Sequence, residues 1–439
     1  MLEKLQNFKK LVSLDNPARL FYHKIRAILA NIFYGFPSKK MTIIWVTGTN
    51  GKTTTCNIIA RWLKESGKKV FMFSTVNIII NDKEYQNDTK MTSPDVFELQ
   101  RLLKIAKNQW CEIAIIETAS HGIKMNRIWG IEYDIVVLTN ITQDHLDLHG
   151  TMKDYVNTKL TIFKKLISYK RKPWIKKTGV INVNSDYSDL FLAETYDNLY
   201  TYWTGRGANL IATNISNIWM ITKFDIKIAS DNIQVETKLK WDFNIQNILA
   251  AVWVFVSLWI EAKKISEVIK LVNWIPGRME SIANEEWFEI IVDYAHTPDA
   301  LEKVLETIKW FWSVAKIITV FWATWDRDRT KRATMWEIVS RLSDLVILTQ
   351  DDDYSEKTEE IIKDILPWIE RKEWENFWII PTRREAIQTA ILAAKPNDVI
   401  LVAWKWDEHV MVTNQWIVEW HDKAVIKEIL KWLDDNKIV

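Results

Sequence analysis

The run Val46-Thr47-Gly48-Thr49-Asn50-Gly51-Lys52-Thr53-Thr54-Thr55 holds the chain's most recognisable chemistry. Two glycines let the backbone turn tightly with its N–H groups inward, Lys52 adds a cation and Thr53 a hydroxyl. Apolar Ile43, Ile44 and Val46 precede this loop as a buried strand, and a helical stretch, Cys56 to Leu63, follows it. Gly48, Thr49, Asn50, Gly51, Lys52, Thr53 and Thr54 are therefore expected to bind the β- and γ-phosphates of ATP or GTP. The spacing, Gly-x-x-Gly-Lys-Thr, is shorter than the common phosphate-loop pattern. A chance Gly/Thr-rich turn would not explain why strand, loop, Lys-Thr and helix occur in the required order.

Glu117 ends a second apolar run, in Ile115-Ile116-Glu117-Thr118-Ala119-Ser120-His121-Gly122. Open α/β sheets gather ligands at the carboxyl ends of their strands, where a carboxylate can hold Mg²⁺ beside phosphates; a helix-capping acid is the plainer alternative. A third run ends in Asn140-Ile141-Thr142-Gln143-Asp144-His145-Leu146-Asp147-Leu148-His149-Gly150. Two histidines and two aspartates after a strand suggest metal or proton chemistry, although any one such histidine alone is more often structural.

The elements that must position these residues alternate. Short β-type runs at Ile43–Thr47, Ile113–Glu117, Ile135–Thr139 and Val180–Val183 alternate with helical stretches, which implies a parallel sheet flanked by helices. A helix is expected from Asn244 to about Leu258, then a turn near Asn273 to Gly277. A second set follows, with strands Ile290–Asp293, Ile317–Phe321, Leu345–Thr349 and Val399–Val402 and helices near Ala300–Ile308, Glu356–Ile365 and Arg384–Ala394. The predicted fold is α/β: a short helical N-terminal segment (1–40), a phosphate-loop domain with a mostly parallel sheet (41–275) and a doubly wound, Rossmann-like C-terminal domain (276–439).

With 58 basic against 56 acidic residues, scattered along the chain, there is no argument for nucleic acid. Cys56 and Cys111 supply neither a disulfide framework nor zinc spacing, and fit a reducing compartment. No signal pattern opens the chain, and the most apolar run, Ile248 to Ile260, is too short to span a bilayer. A cytoplasmic protein, and a monomer, is expected.

Glycine and tryptophan usage is abnormal. Average glycine content would give roughly 30 in a chain of this length, yet there are 11, beside 25 tryptophans. Several tryptophans stand after apolar strands, where turns favour residues without a Cβ: Trp322 and Trp325, Trp404 and Trp406, and Trp274 just before Pro276-Gly277. This pattern predicts that the source organism reads UGA as glycine and that many printed tryptophans are glycines in the working protein. Trp129 and Trp420 are candidates for genuine tryptophan.

Taken in order, Thr-Gly-Thr-Asn-Gly-Lys-Thr-Thr, Glu-Thr-Ala-Ser-His-Gly, Thr-Asn-Ile-Thr-Gln-Asp-His-Leu-Asp-Leu-His-Gly-Thr-Met, Phe243-Asn244-Ile245-Gln246-Asn247, Pro276-Gly277-Arg278-Met279-Glu280 and Asp293-Tyr294-Ala295-His296-Thr297-Pro298 resemble the Mur ligases of peptidoglycan synthesis, and among them the muramyl-tripeptide synthetases. The likeness runs from about residue 41 to 425. That family has glycine where this chain prints Trp45, Trp241, Trp274, Trp322, Trp325, Trp336, Trp404 and Trp406. The resemblance implies that ATP phosphorylates a substrate carboxylate, that an amino acid's amine attacks the acyl phosphate, and that phosphate leaves to give an amide. It also implies roles. Lys52 would neutralise the β,γ-phosphates, Thr53 and Glu117 would hold one Mg²⁺, and His145 with Lys159, the latter carbamylated, would serve a second. Carbamylation turns a repelling ammonium into an oxygen ligand. Asn244, Asn247 and Arg278 would contact nucleotide or phosphate, and Asp293 and His296 the ribose and adenine. Thr92, Ser93 and Arg127 would contact a UDP-muramyl dipeptide acceptor, and Arg327 and Glu408 the incoming amino acid.

Two departures from the family matter. Diaminopimelate-adding members carry Asp-Asn-Pro-Arg, whose arginine pairs with the distal carboxylate, whereas this chain has Asp351-Asp352-Asp353-Tyr354. Tyr354 lacks that fork and Asp352 with its neighbours favours an ammonium, so L-lysine is expected over meso-diaminopimelate. Family members also usually carry a full uridine-nucleotide domain before the phosphate loop, where only about 40 residues stand here, a truncated version of that region. Two alternatives stand beside this reading: a folylpolyglutamate synthase-like ligase acting without UDP, and a nucleotide-binding scaffold without catalysis. The muramyl-type motifs argue against the first, and retention of Lys52, Glu117, His145 and Lys159 against the second.

Overall fold

The apolar runs become strands because their β-branched residues are buried on both faces, as in parallel sheets covered by helices. The computed structural model describes residues 16–87, 89, 91–205, 207–218, 221–228, 230–239, 242–271, 279–293, 295, 297–311, 316–322, 330–350, 371, 375–403, 405, 410–412 and 417–436. Two compact units divide at Asn273/Trp274.

In the first unit the strands are β1 (Thr42–Thr47), β2 (Val70–Phe73), β3 (Asn77–Ile80), β4 (Lys83–Gln86), β5 (Ile113–Glu117), β6 (Ile135–Leu138), β7 (Thr178–Asn182), β8 (Asn198–Trp203), β9 (Leu210–Ile218), β10 (Ile221–Ile228) and β11 (Asp231–Thr237). They form one sheet in the order β11-β10-β9-β8-β7-β6-β1-β5-β2-β3-β4. The stretch from β9 to β2 is parallel, and antiparallel pairs finish both edges. β1 sits between β5 and β6, so the chain leaves β1, crosses β5 and returns as β2. The ends of β1, β5, β6 and β2 thereby converge at a switch point, the place where such sheets bind ligands. Helices Lys52–Glu65, Val96–Asn108, Met152–Leu166 and Asp242–Ser257 accompany the sheet, and Trp45, Phe71, Leu103, Ile116, Val136 and Phe163 are among its fully buried core residues.

Helix Pro17–Tyr34 belongs to this unit: its buried Ala27 and Ala30 pack with Val96. The expected strands appear within a residue or two of their predicted bounds. The β9–β11 meander and the β3–β4 hairpin were not anticipated.

In the second unit the order is β12-β13-β17-β14-β15-β16, with β12 (Glu280–Ser281) antiparallel and β13 (Glu289–Asp293), β14 (Ile317–Phe321), β15 (Leu345–Leu348), β16 (Phe377–Ile379) and β17 (Val399–Ala403) parallel. Helices Pro298–Phe311, Thr330–Leu342, Arg383–Ala393 and Asp422–Asn436 accompany it. The buried Arg383–Asp422 pair fixes the last two, with Arg383 Nε to Asp422 Oδ1 at 2.8 Å and Nη2 to Oδ2 at 2.6 Å. The helix expected near Glu356–Ile365 lies outside the described residues.

Candidate active site

The phosphate loop leaves fully buried β1 and opens helix Lys52–Glu65. Its two glycines are required by contact. A Cβ on Gly48 would stand 1.9 Å from Thr139 Oγ1, and one on Gly51, at φ +80°, 2.5 Å from Asn247 Oδ1. Gly51 caps the helix without a side chain, leaving the positive end of the helix open to an anion. Asn140, just after β6, holds the loop: it accepts from Thr49 N through its carbonyl at 2.9 Å and from Asn50 N through Oδ1 at 2.8 Å. Lys52 Nζ donates to Thr49 O at 2.7 Å, so the cation lies back over the loop.

Glu117 is buried at the end of β5 and accepts from three donors: Thr53 Oγ1 at 3.0 Å, Thr75 N at 2.8 Å and Thr75 Oγ1 at 2.9 Å. A carboxylate ringed by donors is fixed in orientation, and with the Thr53 hydroxyl it presents hard oxygen donors suited to Mg²⁺. Among the described residues no group of three His, Cys, Asp or Glu side chains gathers to hold a metal alone. This donor set suits a hard cation that completes its shell with phosphate and water oxygens.

Lys159 comes from helix Met152–Leu166 and is 1% exposed, with Nζ donating to Gly48 O at 2.9 Å and lying 4.6 Å from the Tyr155 ring centre. Burial, then the Lys52 charge, drives its pKa well below the ordinary lysine value, while Asp144 partly opposes them. His145 N-caps the preceding short helix, Leu146–His149, in a left-handed conformation, φ 54°, held by Asp144, whose Oδ1 accepts from His145 N at 2.8 Å and whose Oδ2 lies 3.3 Å from Nε2. The expected cluster of two histidines and two aspartates is divided. His149 is buried and turned to Ser120 Oγ at 3.0 Å and Thr158 Oγ1 at 3.4 Å, and serves packing.

Asn247 accepts from Thr55 Oγ1 at 3.1 Å and donates to Asn244 Oδ1 at 3.2 Å, so both asparagines lie against the loop helix. On the other side, Thr92 Oγ1 pairs with Thr75 Oγ1 at 2.9 Å, Ser93 Oγ accepts from Ala119 N at 3.2 Å, and Arg127 Nη1 donates to Ser93 O at 2.8 Å. Gly122 permits this approach, because a Cβ there would meet Ser93 Cβ at 2.4 Å. The chain of contacts Glu117–Thr75–Thr92 thus joins the phosphate end to the expected acceptor loop.

Residues 46–255 match the Mur ligase middle domain, and residues 277–404 the Mur ligase glutamate ligase domain. The chain belongs to the Mur ligase family. It is accordingly an ATP-dependent acid–amino-acid ligase of the peptidoglycan-building type. UDP-N-acetylmuramoyl-L-alanyl-D-glutamate–2,6-diaminopimelate ligases are similar throughout: 34% identical over 93% of this chain and 82% of the Clostridium botulinum protein, and 35% over 96% and 85% for Geobacillus kaustophilus. A solved ligase of that name superposes with a TM-score of 0.61 at 28% identity, over 90% of this chain and 79% of its own. The Mycobacterium tuberculosis folylpolyglutamate synthase bound to ADP and AMPPCP shares the fold, with a TM-score of 0.71 at 14% identity over 87% of this chain and 92% of that one.

In this Mur ligase, Asp293 of the second unit is tied into its own loop, accepting from Met279 N and Ala295 N at 2.7 Å each. Arg278, His296, Arg327, Asp352 and Glu408 lie outside the described residues. Sequence reasoning missed Thr75 and Asn140 as site residues. Each follows the end of a strand beside β1 or β5, and that position was the available signal.

Proposed function

We propose that this ligase adds a diamino acid to UDP-N-acetylmuramoyl-L-alanyl-D-glutamate through an acyl phosphate formed from ATP. The observation that carries the reading is the continuity from Lys52 and the loop, through Glu117 and Thr75, to Thr92, Ser93 and Arg127. It lets the γ-phosphate and an acceptor carboxylate share one partly buried corner. Lys52 and the loop N–H groups offset charge on the phosphates, and Arg127 orients the acceptor. Mg²⁺, held by Thr53 and Glu117 with His145 and carbamylated Lys159 at a second position, would supply charge neutralisation along the triphosphate. A buried amine of depressed pKa is the nucleophilic form that CO₂ requires, which supports carbamylation.

The relatives are named for diaminopimelate. L-lysine is proposed here because Tyr354 stands where their arginine fork is expected. The test is phosphate release and product mass with ATP, the muramyl dipeptide nucleotide and each diamino acid in turn. ADP and a tripeptide product are expected. No turnover with either amino acid sinks the ligase reading for this acceptor, and faster consumption of diaminopimelate sinks the lysine preference alone.

A further inference from the structure

Asn87 follows β4 and precedes the acceptor loop, and its side chain is buried. Its Nδ2 donates to Ser74 O at 2.8 Å and Met91 O at 3.1 Å, with Thr75 O a longer third contact at 3.3 Å. Its Oδ1 accepts from Thr89 N at 3.2 Å and from Thr89 Oγ1 at 2.6 Å. One amide therefore joins the turn after β2 to the residue just before Thr92 and Ser93. That turn also carries the partner of the proposed metal carboxylate, because Thr75 N and Oγ1 both hold Glu117. It is anchored on its other side as well. Ser74 Oγ donates to Asn77 Oδ1 at 2.7 Å, and the side-chain amides of Asn77 and Asn57 exchange bonds at 3.0 and 3.1 Å. Asn57 Nδ2 then reaches Thr53 O at 3.0 Å, in the first turn of the loop helix. Ser74, Asn77 and Asn57 are all buried.

We propose that Asn87, backed by the Asn57–Asn77 pair, is a positioning residue that couples the acceptor loop to Glu117, so that Mg²⁺-nucleotide and acceptor strengthen each other's binding. A buried amide keeps its partners, because donors and carbonyls left unpaired in the interior are costly. Moving Met91 away breaks a bond at Asn87 Nδ2, and Asn87 in turn fixes the carbonyls of the two residues that orient Glu117 or anchor its turn. A cation that settles Glu117 and Thr75 thereby settles Met91 to Ser93. An acceptor that settles Met91 to Ser93 must return the same factor to the cation, since coupling between two sites is reciprocal. The Thr75–Thr92 hydroxyl contact acts beside this tie, but hydroxyls rotate, whereas the Asn87 amide is planar and bonded at both its nitrogen and its oxygen. This assignment rests on the acceptor and the Mg²⁺ position proposed above.

The full-length wild-type protein is compared with Asn87→Ala and the isosteric Asn87→Asp, and folding is checked by urea midpoint. Asn87→Asp keeps an oxygen for Thr89 and turns a second one toward the Ser74 and Met91 carbonyls. Hydrogen exchange of residues 91–96 is followed in the presence of AMPPCP, with and without Mg²⁺, and the muramyl dipeptide nucleotide is titrated under the same two conditions. In wild type, Mg²⁺ should slow exchange in this segment and tighten acceptor binding about tenfold, within the usual range of coupling between sites. In both variants that factor should fall towards one, while Mg²⁺-AMPPCP binding without acceptor is retained. Thr89→Val, at an exposed position, is the milder variant should the others fail to fold, and it should lower the factor part-way. A wild-type coupling factor in the folded variants overturns the proposal, as does exchange in wild type that ignores Mg²⁺. An acceptor that does not bind would sink the acceptor reading, while the exchange measurement still decides the coupling.

Discussion

Lys159 shows how one residue's surroundings set its chemistry. A solvated lysine stays protonated at neutral pH and ignores CO₂, but burial against Gly48 and the proximity of Lys52 disfavour its ammonium. Its pKa is depressed, so a neutral amine persists at pH values where free lysine is charged, and falling pH protonates it. Bicarbonate should therefore activate CO₂-depleted enzyme, with the effect fading as pH drops, and Lys159→Ala should lose activity at least about a hundredfold, the scale of a lost electrostatic stabiliser. Rates insensitive to bicarbonate in wild type would reject carbamylation. Thr75 makes a subtler case. Its two bonds to Glu117 orient a carboxylate that Thr53 shares. Thr75→Val removes the hydroxyl donor, so the Mg²⁺ needed for half-maximal rate should rise about tenfold, within the range seen when outer partners of metal ligands are lost. An unchanged Mg²⁺ requirement would show that Thr75 only packs.

At the scale of elements, helix ends expose what the printed residues do to the backbone. Four helices close with the same pair of bonds, one from C′ to a carbonyl three residues back and one from the next residue to a carbonyl five back. They end at Gly35, Gly67, Trp110 and Trp259, with φ of 70°, 83°, 64° and 59°. Glycine fits this left-handed position and an L side chain is strained there. Trp110 and Trp259 also leave their rings 77% and 73% exposed, so no packing offsets the strain. Trp110→Gly and Trp259→Gly should each stabilise the fold by about 1 kcal/mol, read as a higher urea midpoint; an unmoved midpoint would mean tryptophan is tolerated. The same physics explains what was legible beforehand. Fully buried runs such as Ile113–Glu117 and Val399–Ala403 announce parallel strands whatever their surroundings. The β9–β11 meander carries a weak polar alternation, with exposed Lys227 and Gln234 beside buried Ile226 and Val235, and its pairing depends on register that no local pattern prints. The loop, Glu117 and His145 were legible because glycine spacing and strand ends mark them. Thr75, an ordinary threonine after β2, was not.

Across the whole molecule, the tryptophans sort by whether the fold has a use for an indole. Trp253 donates to Thr201 O at 2.8 Å, Trp174 to Thr42 Oγ1 at 3.2 Å and Trp420 to Asp422 Oδ1 at 2.8 Å, as tryptophans placed by selection do. Among the described residues, Trp45, Trp62, Trp322 and Trp378 bury their Nε1 with no acceptor, at a cost of about 1–3 kcal/mol each. Trp45 does so in β1 itself, stacked on Tyr133 at 4.3 Å in the strand that must deliver the phosphate loop. Such penalties, found in both units, would take up a large share of the roughly 5–15 kcal/mol by which a fold is stable, which supports glycine decoding at many of these positions. Protein isolated from its own organism should therefore weigh less than the printed chain by one tryptophan-to-glycine difference per recoded site, and peptide mapping should place glycine at 45, 110, 259 and 322 while retaining tryptophan at 174, 253 and 420. A native mass equal to that of the printed sequence would end the recoding account and leave the unpaired indoles as the molecule's own.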